Sequence, residues 1–222
     1  MTHFAPSTLL HKLFTTSSLF TTLTLTVLLA LSPLVEAGEY NPVIDIGDAG
    51  PAWKELPGVD GKKHALADLE KYDAVVVVFT CNSCPYAVDY EERIMKIAKT
   101  YAAKNVALVA INVNKVAEDS LEKMKERAKA KKFNFAYLYD DSQQIAKDYG
   151  ATYTPEFFVL NKERKVAYMG GLDDNSAVAK VKKTYLVDAL DAVLAGKTPE
   201  VKETVAIGCR VRFERRRRRK PQ

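Results

Sequence analysis

Two uninterrupted apolar runs organise the middle of the chain, DAVVVVF at Asp73–Phe79 and VALVAINV at Val106–Val113. Both are short and rich in β-branched residues. Such runs predict strands covered on both faces, as at the centre of an α/β sheet. Between them the period changes. Ile94, Ile97, Ala98 and Tyr101 recur at i, i+3, i+4 and i+7, giving one apolar helix face. Asn82 and Ser83 are cap-type residues, and Pro85 suits a first helical turn. Further on, Leu121, Met124 and Ala128 stripe a highly charged helix, and NFAYLYD is a third extended run. Ile145, Ala146 and Tyr149 predict a short helix beginning at Asp141 or Ser142. Phe157–Leu160 and Lys165–Tyr168 read as strands joined by a short polar turn. Val178, Val181, Tyr185, Ala189 and Val193 line a last helix that begins near Asn175. Ahead of these elements, proline and glycine punctuate residues 39–69, with a tight turn at Asp60–Gly61. The order β–α–β–α–(β)–α–β–β–α predicts an α/β fold: a three-layer α/β/α sandwich around a central mixed sheet.

The length of 222 residues suits one domain with appendages, and 47% hydrophobic with 27% charged residues is an ordinary globular balance. The first 37 residues stand apart. Lys12 is the leading charge, an apolar and threonine-rich stretch broken by Pro33 follows, and VEA closes the segment at Ala37. This pattern predicts a signal peptide (1–37) cleaved after Ala37; an uncleaved membrane anchor is the alternative. The expected mature chain is therefore exported, to a periplasmic or extracellular compartment, as a domain at 38–198 with a C-terminal extension at 199–222. The net charge of +5 conceals a division. Arg210–Lys220 contributes +7 and the leader nothing, which leaves the body from Gly38 to Cys209 at −2. The mildly acidic body is no nucleic-acid surface. Arg215–Arg219 reads as a solvated tail or as a contact for an anionic surface. The Lys and Glu runs between Glu118 and Lys132 read as a solvated helix face.

Three cysteines are too few for a disulfide-built scaffold, so the fold must hold by packing. Two of them, Cys81 and Cys84, follow the first apolar run at CxxC spacing and precede Pro85. A helix N-terminus presents unpaired N–H groups and a partial positive charge, both of which favour a thiolate. On that ground Cys81 is the expected low-pKa nucleophile, and Cys84, one turn further in, the resolving thiol. A structural staple, half of a zinc site and a copper-handling pair compete with this reading. The staple closes too short a loop to remove much chain entropy. For zinc, only Cys209 and His64 remain beyond the leader as further ligands of those types, without motif spacing. No metal and no cofactor is expected. Cys209, in AIGCRVRF, reads as a partly buried thiol on an extended segment, as a third redox thiol that shuttles with Cys81, or as an intermolecular disulfide former.

The stretches VDGKKHALADLEKYDAVVVVFTCNSCP and YGATYTPEFFVLNKERKVAYMGG resemble the redoxin branch of the thioredoxin fold. That branch includes exported TlpA- and ResA-like thiol–disulfide oxidoreductases and, more distantly, the AhpC/TSA peroxiredoxins. The resemblance covers roughly residues 47–194. It implies a cis proline at Pro155, facing the CxxC and exposing the Thr154 backbone to an extended substrate chain. It also implies protein dithiols or disulfides as substrates and an unidentified redox partner. There are departures. Asn82–Ser83 replaces the Gly-Pro of thioredoxin, and the buried proton-accepting aspartate has no evident counterpart; Asp73, Glu91 and Glu92 are the candidates. The resemblance leaves two other functions open, a peroxiredoxin-like peroxidase and a non-catalytic binding module. Against the peroxidase, Thr80 directly precedes Cys81 rather than standing three residues before it, and Arg164 falls in a hairpin turn.

Overall fold

The computed structural model describes residues 38–214. The predicted leader, its cleavage site at Ala37 and the tail from Arg215 onward lie outside the described residues. A short antiparallel hairpin comes first, Leu56–Pro57 (β1) with Lys63–His64 (β2), turned at Asp60–Gly61 with Gly61 at φ +79°. Ala74–Phe79 (β3), the helix Pro85–Ala102 (α1) and Val106–Asn112 (β4) follow. After Leu121–Lys131 (α2) come Ala136–Tyr139 (β5) and the short helix Gln144–Asp148 (α3). Tyr153–Thr154 (β6), Glu156–Leu160 (β7), Val166–Gly170 (β8), the helix Tyr185–Leu194 (α4) and Cys209–Arg210 (β9) complete the order.

Five strands form the central sheet in the order β5-β4-β3-β7-β8. β3 and β4 run parallel, as do β4 and β5, while β7 is antiparallel to both β3 and β8. The valine run thus lies in the middle of a mixed sheet, with all six residues buried. Alternate side chains along it enter opposite cores, as strand geometry requires. Val75, Val77 and Phe79 pack with Trp53, Leu66, Ile145 and Tyr149. Ala74, Val76 and Val78 pack with Tyr90, Ile94 and Tyr101 of α1 and Leu186 and Leu190 of α4. Burying each valine contributes roughly 1.5–3 kcal/mol, so the two cores together clamp the strand that delivers Cys81. Among the described residues, no helix is long and apolar enough to cross a membrane.

Three helix starts differ from expectation. The short helix α3 begins at Gln144, not at Asp141 or Ser142, because Gln143 ahead of it sits in the left-handed region at φ +59°. The last helix begins at Tyr185, not near Asn175, and Val178 is exposed. The intervening backbone is committed elsewhere: Arg93 takes the carbonyls of Asn175 and Ser176, and the Asp174 carboxylate accepts the N–H groups of Lys182 and Lys183. In α1 the N-cap is Cys84 rather than Asn82 or Ser83, with Pro85 in the first turn as expected. Beyond residue 198 the chain continues to pack on the body. Met169 N–H donates to Lys202, Thr204 N–H to Met169 and Val211 N–H to Thr152, and Val211 joins the core.

Candidate active site

Where β3 ends, the chain leaves the sheet through Thr80 and Cys81, turns over Asn82–Ser83, and enters α1 at Cys84. Cys81 and Cys84 are each only 3% exposed, and both are free thiols. Across from them stands Thr154, followed by a cis peptide bond to Pro155. The Cys81 thiol donates to Thr154 Oγ1 at 3.5 Å, and the Cys84 thiol donates to the Thr154 carbonyl at 3.1 Å. The residues singled out in sequence are therefore brought to one place: one threonine touches both sulfurs.

What holds the turn in shape was not foreseen. Asp119 sits in a 3-10 turn ahead of α2 and is fully buried, although it falls within the run read as a solvated face. Its Oδ1 accepts the N–H of Asn82 at 2.6 Å and of Ser83 at 3.1 Å, and its Oδ2 accepts the Ser83 hydroxyl at 2.6 Å. Two loop amides that would otherwise be orphaned at the end of a buried strand are thus satisfied by one carboxylate. The three acids named as candidates for the buried proton acceptor lie elsewhere. Asp73 pairs with Asn105 and Lys162, Glu91 pairs with Arg127, and Glu92 is exposed. A second unforeseen acid is Glu156, directly after Pro155. It is 8% exposed, accepts the N–H groups of Thr152 and Tyr153, and is pushed up to about 7 by burial.

The electrostatics reverse one expectation. Because the helix starts at Pro85, Cys84 rather than Cys81 is the N-cap residue and lies nearer the free N–H groups of the first turn. Hydrogen bonding from the Cys81 thiol, helped by the Cys209 thiol and the Ala87 N–H, lowers Cys84 against the opposing effect of burial. The same bond to Cys84, burial and the Asp119 carboxylate push Cys81 up. The two thiols titrate as one unit, each sulfur's hold on its proton depending on the charge of the other.

Cys209 belongs to this cluster. β9 pairs antiparallel with β6, Thr154 opposite Cys209 and Tyr153 opposite Arg210. The Thr154 backbone, expected to receive a substrate strand, is paired here with the chain's own C-terminal segment. Cys209 packs against Cys81, Cys84 and Ala87, and its thiol is raised to about 11 by burial and by Cys84. Arg164, the residue considered for peroxide binding, donates instead to the carbonyls of Leu69, Tyr72 and Asn161. Among the described residues, no three His, Cys, Asp or Glu side chains are arranged to hold a metal ion.

Comparison with known proteins fits this geometry. No curated protein matches the chain significantly. Two solved structures resemble it over most of its length. One is a hypothetical protein from Sinorhizobium meliloti 1021, 36% identical over 77% of this chain and 96% of that one, with a TM-score of 0.72. The other is an uncharacterized conserved protein from Geobacillus kaustophilus, 34% identical over 78% and 95%, with a TM-score of 0.73. A thiol:disulfide interchange protein of the thioredoxin family from Chlorobium tepidum TLS shares the fold at 19% identity, covering 68% of this chain and 99% of that one, with a TM-score of 0.54. The model of the AhpC/TSA family matches residues 46–169, which hold Cys81, Cys84, Thr154 and Pro155. The chain belongs to the AhpC/TSA family, a redoxin family of the thioredoxin fold.

Proposed function

We propose that this protein is a thiol–disulfide oxidoreductase acting on protein dithiols and disulfides through Cys81 and Cys84. The observation that carries the reading is the convergence of both sulfurs on Thr154, beside the cis Pro155. Both cysteines are equally buried; the order strand end, Cys81, turn, Cys84, helix assigns the attack on an incoming disulfide to Cys81 and resolution to Cys84. As Cys81 attacks, its proton passes to the Cys84 thiolate. One substrate sulfur leaves and takes up a proton from solvent, and a mixed disulfide forms on Cys81. Cys84 then loses its proton and attacks the Cys81 sulfur, releasing the second substrate thiol and closing the Cys81–Cys84 disulfide. Two electrons pass to the substrate, and the reverse sequence oxidises a dithiol. No prosthetic group takes part. The engagement of Arg164 by backbone carbonyls favours this chemistry over peroxide reduction, which needs a cationic partner beside the attacking sulfur.

The proposal includes export. The leader pattern at 1–37 and a redox-active CxxC both suit a compartment in which disulfides persist; N-terminal sequencing of secreted protein should begin at Gly38. The catalytic roles are tested by mixing Cys84→Ser and Cys81→Ser variants, each in a Cys209→Ser background, with a disulfide-bonded protein such as insulin. Cys84→Ser should accumulate a mixed disulfide on Cys81, and Cys81→Ser should not turn over. A mixed disulfide held on Cys84 in Cys81→Ser, with none on Cys81 in Cys84→Ser, would reverse the roles.

A further inference from the structure

The edge of β6 beside the cis proline is occupied by a strand that carries a cysteine of its own. We propose that Cys209 is a third redox thiol, which takes the disulfide over from the active-site pair by forming a Cys84–Cys209 bond. The inference rests on the reading of Cys81–Cys84 as a redox pair.

Three independent features place Cys209 for this exchange. The first is register: antiparallel pairing sets Cys209 opposite Thr154, the residue whose carbonyl accepts the Cys84 thiol and whose hydroxyl donates to the Cys209 carbonyl. The second is fit. A Cβ at Gly208 would lie 2.2 Å from the Thr154 carbonyl oxygen and 3.1 Å from Pro155 N, so only glycine lets the segment come down this closely onto the active-site threonine. The third is anchoring. Val211 N–H donates to Thr152, Arg212 N–H to Asn114, and Gln143 bridges the carbonyl of Arg212 and the N–H of Glu214. Bonds on the C-terminal side, and those of Lys202 and Thr204 with Met169 on the other, hold Cys209 where an extended substrate thiol would lie.

The step balances without an added oxidant. Once the pair has reduced a protein disulfide, it is itself a Cys81–Cys84 disulfide. Cys209 gives up its proton and attacks the Cys84 sulfur. The Cys84–Cys209 bond forms, the Cys81–Cys84 bond breaks, and Cys81 leaves with the electron pair and takes up a proton. The count of disulfides is unchanged. The product has regained its attacking thiol, and its disulfide has moved to Cys209, which is more exposed than either partner. An external dithiol can then reach it there. The raised thiol of Cys209 makes this step faster as the pH rises.

The test is disulfide mapping of the full chain after equilibration in glutathione buffers, acid quenching and alkylation, with fragmentation to locate the bond. The wild type should yield a peptide pair linked through Cys84 and Cys209 alongside the Cys81–Cys84 product. In Cys81→Ser all protein disulfide should be Cys84–Cys209. Gly208→Ala, which pushes the segment off Thr154, should lower the yield of the linked pair at least about tenfold while Cys81–Cys84 still forms. If wild type forms Cys81–Cys84 but neither it nor Cys81→Ser ever yields Cys84–Cys209, or if Cys84 in Cys81→Ser is only glutathionylated, the inference is overturned and the oxidoreductase reading survives. If no cysteine pair forms at all, both fall.

Discussion

Replacing Asp119 with asparagine removes a charge from beneath the cysteine turn while keeping a side chain of the same shape. One amide oxygen still accepts the Asn82 and Ser83 N–H groups, and the amide nitrogen can donate to the Ser83 hydroxyl, which then serves as acceptor. The turn therefore persists and the electrostatics change. Cys81 Sγ lies 3.8 Å from Ser83 Oγ, which lies 2.6 Å from Asp119 Oδ2, so sulfur and carboxylate are no more than about 6.4 Å apart. Both residues are almost fully buried, which limits screening. Two like charges about 6 Å apart, at an effective dielectric constant of about 20, repel by roughly 3 kcal/mol, or about two pH units of thiol acidity. In a Cys84→Ser/Cys209→Ser background, where Cys81 titrates alone, Asp119→Asn should lower the midpoint of Cys81 alkylation by iodoacetamide by about that much. Circular dichroism and denaturant midpoints of the two proteins should agree to within about 1 kcal/mol. A midpoint that stays within about 0.5 pH units of the parent, or rises, would refute the claim that Asp119 sets the acidity of Cys81.

Other consequences are as direct. Glu156 titrates near 4.5 in an unfolded chain and near 7 in the fold. Its contribution to stability is complete below about pH 4.5 and is lost as the pH climbs through about 7, a fall of roughly 3 kcal/mol; Glu156→Gln should lack that part of the pH dependence in urea unfolding at pH 5 and pH 8, and parallel curves for the two proteins would contradict it. Arg93 is paired with Asp173, stacks 3.6 Å over the Tyr90 ring and holds two loop carbonyls. Arg93→Ala strands a buried carboxylate and should cost about 3–5 kcal/mol, with partial recovery on adding Asp173→Asn; no recovery in denaturant titrations would show that packing rather than charge dominates.

The valine run announced the sheet because its six residues need cover on both faces, and only a central strand supplies it. The cysteine pair was legible for a similar reason: strand end, CxxC and Pro85 are local features, and Thr154–Pro155 stood out as a motif. The supports of the site were not local. Asp119 reaches the turn from 36 residues away and sits in a stretch whose charge density reads as solvated. The helix cap moved to Cys84 because the capping oxygens ahead of it were engaged elsewhere, the Ser83 hydroxyl by Asp119 and Asn82 Oδ1 by the Tyr137 hydroxyl. The alternation Ile207, Cys209, Val211 and Phe213 did mark an extended segment. That it lands on β6, opposite Thr154, is a matter of tertiary pairing that no periodicity encodes.

The central claim is that Cys81 and Cys84 form a reversible redox pair, and equilibrium titration of the two thiols against glutathione tests it most directly. A Cys209→Ser protein should show a single two-electron transition, the same from the oxidised and reduced sides, with a midpoint within roughly −270 to −120 mV. Thiols that remain reduced, or form only glutathione adducts, across the whole range of buffers would contradict it.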